Sequence, residues 1–315
     1  MTAPWAIIPL SHQQVGENRA AALIGRHVSA NCCMMATALP GVARPEENVS
    51  LVEAAVRVTE YPKYSIVIPA YNEQARILAA LESVVSCVRQ RGWLAEIVVV
   101  NDGSRDQTAA LVREFAAAAP EVRLLENPGN RGKGYSVRSG LLQAFGEVVM
   151  FTDADLSAPI EEAEGLFNAI AAGADIAIGS RWLERTRQTI RQPLYRQFFG
   201  RCFNAVTRTV MGLPFADTQC GFKAFTRAAA QTVFQLQTID GWGFDPEILF
   251  IALKRGFRIA EVPVSWAHDE RTRISYLKDG IRMLEDIAQV RWNALLGRYN
   301  RPVERIHRPS LAKFK

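Results

Sequence analysis

The sequence predicts an α/β fold in which a mostly parallel β-sheet is flanked by helices. From Tyr64 onwards short apolar runs alternate with helical stretches, and the polar, glycine-marked segments follow the apolar runs. Buried strands that alternate with helices indicate right-handed βαβ units and a mostly parallel sheet. Ligands of such sheets bind beyond the carboxyl ends of the strands, so we expect the functional residues in the segments that follow the strands.

The elements are predicted in chain order. Strands are expected at 64–68, 95–100, 122–125, 147–152 and 174–179, and helices at 73–90, 106–119, 134–145 and 160–171. After Ser180 the sequence predicts a basic loop and helix over 181–211, a helix near 245–254 and a strand near 257–263. A last long helix is expected over about 276–296.

The pattern divides the chain into three parts. Residues 1–62 show no clear alternation and are interpreted as a poorly ordered N-terminal appendage, residues 63–275 as the main domain, and residues 276–315 as an amphipathic helix with a basic tail. One face of the last helix is predicted to carry Leu277, Ile281, Leu284, Ile287, Ala288 and Leu295. Core packing and membrane contact both explain such a face, and both explain a similar basic stripe at 196–211.

Composition excludes several classes of protein. The chain of 315 residues is 49% apolar, enough for a sizeable core, and its formal charge of +5 suits an anionic substrate or a membrane surface. No nucleic-acid-binding motif occurs, so we expect no nucleic-acid partner. Five cysteines without Cys-x-x-Cys spacing and four scattered histidines argue against zinc and fit a reducing cytosol. No window has the length of uncharged apolar residues that spans a bilayer, and the N-terminus lacks the pattern of a signal peptide.

Two carboxylates one residue apart, Asp153 and Asp155, follow the apolar run 148–152. Two like charges are costly in a packed core unless a cation neutralises them. Carboxylate oxygens favour Mg²⁺ or Mn²⁺, and Mg²⁺ is usually held by one or two carboxylates together with substrate phosphates. The pair therefore predicts a metal site and a phosphate-bearing substrate, with a solvated turn as the alternative for an Asp-x-Asp taken alone.

Several ordered motifs carry a resemblance to a known family. The segments 65–73 (SIVIPAYNE), 98–104 (VVVNDGS) and 152–155 (TDAD) resemble the nucleotide-sugar-binding half of family 2 glycosyltransferases with the GT-A (Rossmann-like) fold. The segments 130–134 (NRGKG), 217–223 (DTQCGFK) and 243–247 (GFDPE) are most similar to polyprenyl-phosphate hexosyltransferases, closest to dolichyl-phosphate glucosyltransferases. The resemblance covers about residues 64–296 and implies a GT-A glycosyltransferase domain at 63–275.

The resemblance implies a donor site for a nucleotide sugar. Its expected residues are Pro69, Tyr71, Glu73, Asp102, Lys133 and Asp153. Asp102 is expected to accept a hydrogen bond from a pyrimidine imide N–H, with a turn aspartate as the alternative. Tyr71 is expected to cover the base or ribose, and Glu73 to hold a ribose hydroxyl, to complement a helix dipole, or both. Lys133 is expected to approach the diphosphate; Gly134 replaces the Ser or Thr of a P-loop, which excludes a nucleoside triphosphatase.

Basic residues of the second half predict the acceptor site. The candidates for binding an acceptor phosphate are Arg181, Arg196, Arg271 and Arg273. The family usually has a Ser-Lys pair at the last two positions, and a guanidinium retains the charge and can hold phosphate oxygens bidentately. For any single arginine a solvated surface role is the alternative.

A phosphate acceptor also predicts the mechanism. Its oxygen is anionic near neutral pH, so direct in-line displacement with inversion requires no strong general base. Catalytic roles are expected for Asp155, Arg181 and Asp245. Asp217 and Asp245 are candidates to hold sugar hydroxyls, or to act as base for a hydroxyl acceptor, while Asp245 alternatively only starts its helix. Ser157 stands where mannosyl-phosphate synthases often have Gln, which favours UDP-glucose as donor.

The leading hypothesis is a metal-dependent transferase that moves glucose from UDP-glucose to a polyprenyl or dolichyl phosphate. We expect it at the cytoplasmic face of a membrane, bound peripherally or through a membrane protein partner. The alternatives are a family 2 transferase with a hydroxyl acceptor and a membrane-associated scaffold that binds nucleotide sugars without turnover.

Overall fold

The computed structural model describes residues 61–184, 188–190, 194–267, 276–304 and 306. Its first half alternates strands and helices: β1 (Tyr64–Ala70), α1 (Ile77–Gln90), β2 (Ala95–Asn101), α2 (Thr108–Ala118), β3 (Val122–Glu126), α3 (Lys133–Gln143), β4 (Val148–Phe151), a 3₁₀ turn (Ile160–Glu162), α4 (Ala163–Ala171) and β5 (Ile176–Ser180). Its second half contains β6 (Gln188–Ile190), α5 (Leu194–Met211), β7 (Lys223–Thr226), α6 (Arg227–Leu236), α7 (Phe244–Lys254), β8 (Ile259–Pro263), β9 (Trp266–Ala267), α8 (Tyr276–Leu295) and a 3₁₀ turn (Arg298–Asn300). The predicted appendage lies outside the described residues except for its last two.

The described residues form a main sheet of seven strands in the order β3-β2-β1-β4-β7-β5-β8. Neighbouring strands are parallel except for β7, which runs antiparallel to β4 and β5. The prediction of a mostly parallel sheet flanked by helices is therefore confirmed. β6 and β9 form a separate parallel pair.

Helices cover both faces of the sheet, which explains the near-continuous apolar runs of its strands. Successive side chains of a strand point to opposite faces, and in β1 Ile66 and Ile68 belong to one core while Val67 belongs to the other. The first core packs α1, α2 and α4 against the sheet, and the second packs α3, α6, α7 and α8. The sheet is thereby fixed from both sides, with its carboxyl edge left for the loops.

The first helix begins later than the sequence predicts, at Ile77 rather than 73. The backbone N–H groups of Glu73 and Gln74 donate to Thr108 Oγ1 (2.7 Å) and Asp106 Oδ2 (3.2 Å). These hydrogen bonds hold the segment before α1 against the start of α2. The segment therefore forms part of the loop and does not join the helix.

The strand β7 and the helix α6 were not predicted. β7 is only four residues long, and its first residue is the fully buried Lys223. A charged residue at the start of so short a run hides the apolar pattern on which strand prediction depends.

The apolar face predicted for the last helix is partly wrong. Ile287 is buried, together with Val290 and the following Tyr299, in the second core. Ile281, Leu284 and Leu295 are instead exposed, so two different faces of α8 carry apolar side chains. Within the described ranges, none of the helices is both long and apolar enough to cross a bilayer.

Candidate active site

The loops that follow β1 and β2 are bonded to each other at the carboxyl edge of the sheet. Asn72, with a φ of 54°, adopts the left-handed conformation that asparagine tolerates better than most residues. Its backbone N–H donates to Ser104 Oγ (2.9 Å), and its Oδ1 accepts from the Arg105 N–H (2.7 Å). Two segments that the sequence assigned to the donor site therefore lie side by side.

The predicted residues at the end of β1 have structural partners of their own. Pro69 lies in the last part of β1, which pairs with β2 but no longer with β4. Tyr71 directly follows the strand and is half-buried. Both carboxylate oxygens of Glu73 contact Arg76, with 2.9 Å between Oε1 and Nη2. A ribose hydroxyl would share Glu73 with this ion pair, and the predicted contact stays a prediction.

Asp102 follows β2 and holds the loop that leads to α3. Its carboxylate accepts hydrogen bonds from the Asn127 side chain (2.8 Å) and from the backbone N–H groups of Arg131 (3.0 Å) and Gly132 (2.8 Å). Gly132 has a φ of 104°, and a Cβ there would collide with the Asp240 carbonyl oxygen. Asp102 thus fixes the segment before Lys133, while its predicted hydrogen bond to a nucleobase stays a prediction.

Lys133, the first residue of α3, lies against the predicted metal ligands. Its Nζ is 2.5 Å from Asp153 Oδ1 and 5.1 Å from the centre of the Trp242 ring. Burial disfavours the charged amine, but the Asp153 and Asp245 carboxylates outweigh this effect and raise the pKa of Lys133. Burial and the adjacent Asp153 charge raise the pKa of Asp155. The structure therefore brings together the lysine and the carboxylate pair that the sequence predicts for a donor diphosphate.

The carboxylate pair borders a cleft. Ser157, Cys220, Gly221 and Trp266 are among its other lining residues. Gly221 lies against the Asp153 carboxylate, and a Cβ there would force this side chain to shift. No cluster of three or more His, Cys, Asp or Glu side chains that could hold a metal occurs in the described part of the chain. Two carboxylates open to a cleft nevertheless fit Mg²⁺ or Mn²⁺, which complete their coordination with phosphate oxygens and water.

A buried ion pair lies behind this cleft. Lys223 Nζ is 2.5 Å from Asp245 Oδ1 and 2.5 Å from the Cys220 carbonyl oxygen, and the Lys223 side chain is 0% exposed. Asp245 lies in the first turn of α7. Burial raises the pKa of Asp245, although Lys223 and Lys133 act in the opposite direction. Asp245 therefore lies in the first turn of its helix and neutralises a lysine, and its predicted contact with the sugar stays a prediction.

Arg181, directly after β5, forms a bidentate ion pair with Asp217. Its Nε and Nη2 lie 2.6 and 2.9 Å from Asp217 Oδ2 and Oδ1, and its guanidinium is 5.7 Å from the centre of the Trp266 ring. Burial opposes the charged form of Asp217, but the Arg181 guanidinium outweighs it and lowers the pKa of this carboxyl. A carboxylate with a lowered pKa is a weak proton acceptor, so Asp217 is unsuited to the role of general base. It instead positions Arg181.

The remaining predicted arginines stay predictions, because the structure does not describe their side chains. Arg271 and Arg273 lie outside the described residues, and for Arg196 only the backbone, within α5, is described. The exposed Arg201, also on α5, has its guanidinium 5.2 Å from the centre of the Trp182 ring.

Sequence reasoning missed Trp242, Trp266 and Lys223 as residues of the site. Trp242 stands between two glycines just before the start of α7, which is a detectable signal for a loop tip. Lys223 ends a segment that the resemblance singled out without giving it a role. Nothing in the sequence around Trp266 points to the cleft.

Comparisons with known proteins agree with this geometry. The model of "Glycosyl transferase family 2" matches residues 65–234. A dolichyl-phosphate beta-glucosyltransferase of Trichomonas vaginalis is 40% identical over 240 residues, which are 72% of this chain and 70% of the relative. The enzyme of the same name from Saccharomyces cerevisiae is 34% identical over 253 residues, 75% of this chain and 76% of the relative.

Solved structures show the same fold. Glucosyl-3-phosphoglycerate synthase from Mycobacterium tuberculosis, crystallised with Mn²⁺, UDP and glucosyl-3-phosphoglycerate, has a TM-score of 0.54 at 24% identity over 83% of this chain and 88% of that chain. Its complex with Mg²⁺ and UDP gives a TM-score of 0.54 at 23% identity over 84% of this chain and 86% of that chain. The matched family, the relatives and the fold agree with the resemblance inferred from the motifs. The chain belongs to glycosyl transferase family 2 and has the GT-A fold.

Proposed function

We propose that the protein transfers glucose from UDP-glucose to dolichyl phosphate or another polyprenyl phosphate, with inversion at the anomeric carbon. The observation that carries this proposal is the cleft in which Asp153 and Asp155 meet Lys133, with the Arg181–Asp217 pair close by. The names of the relatives, dolichyl-phosphate beta-glucosyltransferases, supply the sugar and the acceptor class.

The donor side would hold the diphosphate between a cation and a lysine. Asp153 and Asp155 would bind Mg²⁺ or Mn²⁺, which when bound would neutralise the charge that develops on the departing UDP. Lys133 adds a second positive charge, and the Asp102 hydrogen bonds hold the backbone from which it extends. These residues stabilise the leaving group without taking part in covalent chemistry.

The acceptor side requires positive charge more than a base. Arg181 is held in one orientation by both oxygens of Asp217 and lies over Trp266, which lines the cleft. A guanidinium fixed in this way can bind a phosphate oxygen and bring it to the anomeric carbon. Because the acceptor oxygen is already anionic, the displacement proceeds without proton abstraction.

A hydroxyl acceptor is the second candidate, and one observation favours it. Burial raises the pKa of Asp245, and a raised pKa is what a general base at neutral pH requires. The ion pair with Lys223 counts against this role, because a proton acceptor must be able to reach the substrate.

We also propose that the protein works at the cytoplasmic face of a membrane, bound peripherally or through a membrane protein partner. The reason is chemical: a polyprenyl chain stays in the bilayer, so its phosphate must be met at the membrane surface.

The purified protein should be incubated with UDP-glucose or GDP-mannose, each with a polyprenyl phosphate, 3-phosphoglycerate or a soluble sugar. The proposal predicts a lipid-extractable product from UDP-glucose that disappears with a metal chelator. Preference for GDP-mannose contradicts the donor, and product only with a sugar acceptor supports the hydroxyl alternative. The absence of turnover with every pair would favour a scaffold that only binds nucleotide sugars.

A further inference from the structure

An exposed tryptophan lies beside the lysine of the donor site and has no role in the function proposed above. Trp242 belongs to the α6–α7 loop, residues 237–243, and is 41% exposed. Lys133 Nζ lies over its ring, 5.1 Å from the ring centre. An ammonium group within about 6 Å of a tryptophan ring is attracted by the quadrupole of the ring. The Lys133 ammonium therefore contacts an aromatic ring as well as the Asp153 carboxylate, which is 2.5 Å away.

The α6–α7 loop is fixed to the helix that begins at Lys133. The Tyr135 backbone N–H donates to the Asp240 carbonyl oxygen (3.1 Å). Gln237 Nε2 donates to the Gly134 carbonyl oxygen (3.0 Å). Both hydrogen bonds reach the first turn of α3, so the loop that carries the ring is held at the start of the helix that carries the lysine.

A second set of hydrogen bonds fixes the loop from the side of α7 and α8. The fully buried Glu247 carboxylate accepts from the backbone N–H groups of Thr238 (2.9 Å) and Ile239 (2.8 Å). The Asp286 carboxylate accepts from the Gly243 backbone N–H. The loop is thus bonded on both sides of the tryptophan, so a fixed backbone presents the exposed ring to the lysine.

We propose that Trp242 is a positioning residue of the donor site, whose ring holds the Lys133 ammonium ready to bind a diphosphate. This inference rests on the proposed function, which assigns the diphosphate to Lys133. A lysine side chain is a flexible stem, and its conformational freedom is lost when the ammonium binds a phosphate. A ring that already orients the ammonium reduces this loss, so it strengthens binding without touching the ligand.

Asp153 alone is unsuited to hold the lysine in this way. The same carboxylate is expected to bind a divalent cation, whose positive charge repels an ammonium group and weakens the contact between Lys133 and Asp153. A further carboxylate in place of the ring would repel the diphosphate. An aromatic ring attracts the ammonium and has no net charge, so it does neither.

Calorimetry of UDP binding to the full chain, with Mn²⁺ present, tests the proposal. Trp242→Leu keeps an apolar side chain but removes the aromatic face, and it should weaken UDP binding by about 3- to 10-fold. Trp242→Phe keeps an aromatic face and should restore most of the affinity. The matched control is Trp292→Leu, which removes a tryptophan exposed by 62% on α8 and should bind UDP like the wild type.

A double-mutant cycle separates positioning from direct contact between the ring and the ligand. If the ring acts through the lysine, Trp242→Leu should weaken UDP binding in the wild type but change it by less than about twofold in a Lys133→Met background. Equal losses in the two backgrounds would show that the ring packs on the nucleotide itself and would overturn the proposal. A Trp242→Phe variant that binds UDP as weakly as Trp242→Leu would overturn it too.

The same measurements keep this inference distinct from the proposed function. A Lys133→Met variant that binds UDP normally would contradict the contact with the diphosphate, and with it the donor side of the proposed function. A weakened Lys133→Met variant beside a normal Trp242→Leu variant would overturn the positioning role alone. The thermal unfolding midpoint of each Trp242 variant should match that of the wild type, because this partly exposed side chain lies outside both cores.

Discussion

The buried ion pair between Lys223 and Asp245 gives the sharpest prediction about this site. Asp245→Asn leaves an ammonium group with a 0% exposed side chain facing an uncharged partner. Lys223→Met leaves the Asp245 carboxyl, whose pKa burial already raises, so this group can take up a proton and become neutral. We therefore expect Asp245→Asn to be the more destabilising of the two substitutions near neutral pH.

The expected loss of stability depends on the buried charge that each variant leaves without a partner. Removing one partner of a buried ion pair lowers the free energy of unfolding by about 3–5 kcal/mol. This is a large part of the total free energy of unfolding of a domain, which is about 5–15 kcal/mol. At about 2–4 °C per kcal/mol for a domain of this size, Asp245→Asn should lower the unfolding midpoint by about 6–20 °C. The double variant removes both charges, so it should be more stable than the sum of the two single effects by about 2–3 kcal/mol.

Urea unfolding of the wild type, the two single variants and the double variant measures this coupling. Additive effects would refute the ion pair as a stabilising unit, and an Asp245→Asn variant as stable as the wild type would refute the burial of an unpaired charge. Turnover of the double variant tests the substrate role separately. If Asp245 contacts the sugar, the folded double variant should still lose kcat/KM, and full activity would refute that contact.

Three further predictions concern the donor and acceptor sides. Asp155→Ala should fold normally but lose at least about a hundredfold in kcat, because the charge of the leaving diphosphate is no longer neutralised; normal turnover at saturating Mn²⁺ would contradict this role. Lys133→Met should weaken UDP binding by about 10- to 100-fold in calorimetry with Mn²⁺ present, since a charge-assisted hydrogen bond is worth about 1.5–3 kcal/mol; an unchanged affinity would exclude contact with the diphosphate. Because Arg181 lowers the pKa of Asp217 in the folded protein, this carboxyl stabilises the fold above its ordinary titration range, and the contribution is lost as the pH falls through the lowered pKa. From about pH 7 to about pH 3 the wild type should therefore lose more unfolding free energy in urea titrations than Asp217→Asn does, and equal losses would refute the ion pair.

The alternation of strands and helices could be predicted because each element depends on the order of apolar and polar residues within a short segment. The runs that form β1 and β2 are almost entirely buried, and the polar segments that follow them do lie at one edge of the sheet. The pair Asp153 and Asp155 was identified for the same reason, since it directly follows a buried run. Features that depend only on adjacent residues, such as these strands and the carboxylate pair, could therefore be predicted from the sequence.

The partners of the charged residues could not be predicted, because they come from distant segments. Asp217 lies 36 residues from Arg181, and Asp245 lies 22 residues from Lys223. Before these contacts are known, Asp217 is as plausible a general base as Asp245. The structure separates the two carboxylates, since one is fixed by an arginine that lowers its pKa and the other has a raised pKa.

The last helix shows a different limit. Its apolar positions form a recognisable pattern, but a pattern does not say which of two apolar faces the core will take. The core packs Ile287 and Val290, whereas Ile281 and Leu284 remain in solvent. Helix periodicity predicted the element, and only tertiary packing assigned its faces.

The central claim is that a metal-dependent cleft transfers glucose to a lipid phosphate by a single displacement. Proton NMR of the glycolipid formed from UDP-glucose and a polyprenyl phosphate tests it most directly, because the donor has the α configuration. A β-glucosyl phosphate, formed only when Mg²⁺ or Mn²⁺ is present, is the predicted result. An α-linked product would contradict direct displacement, and the absence of any glucosylated lipid would contradict the acceptor.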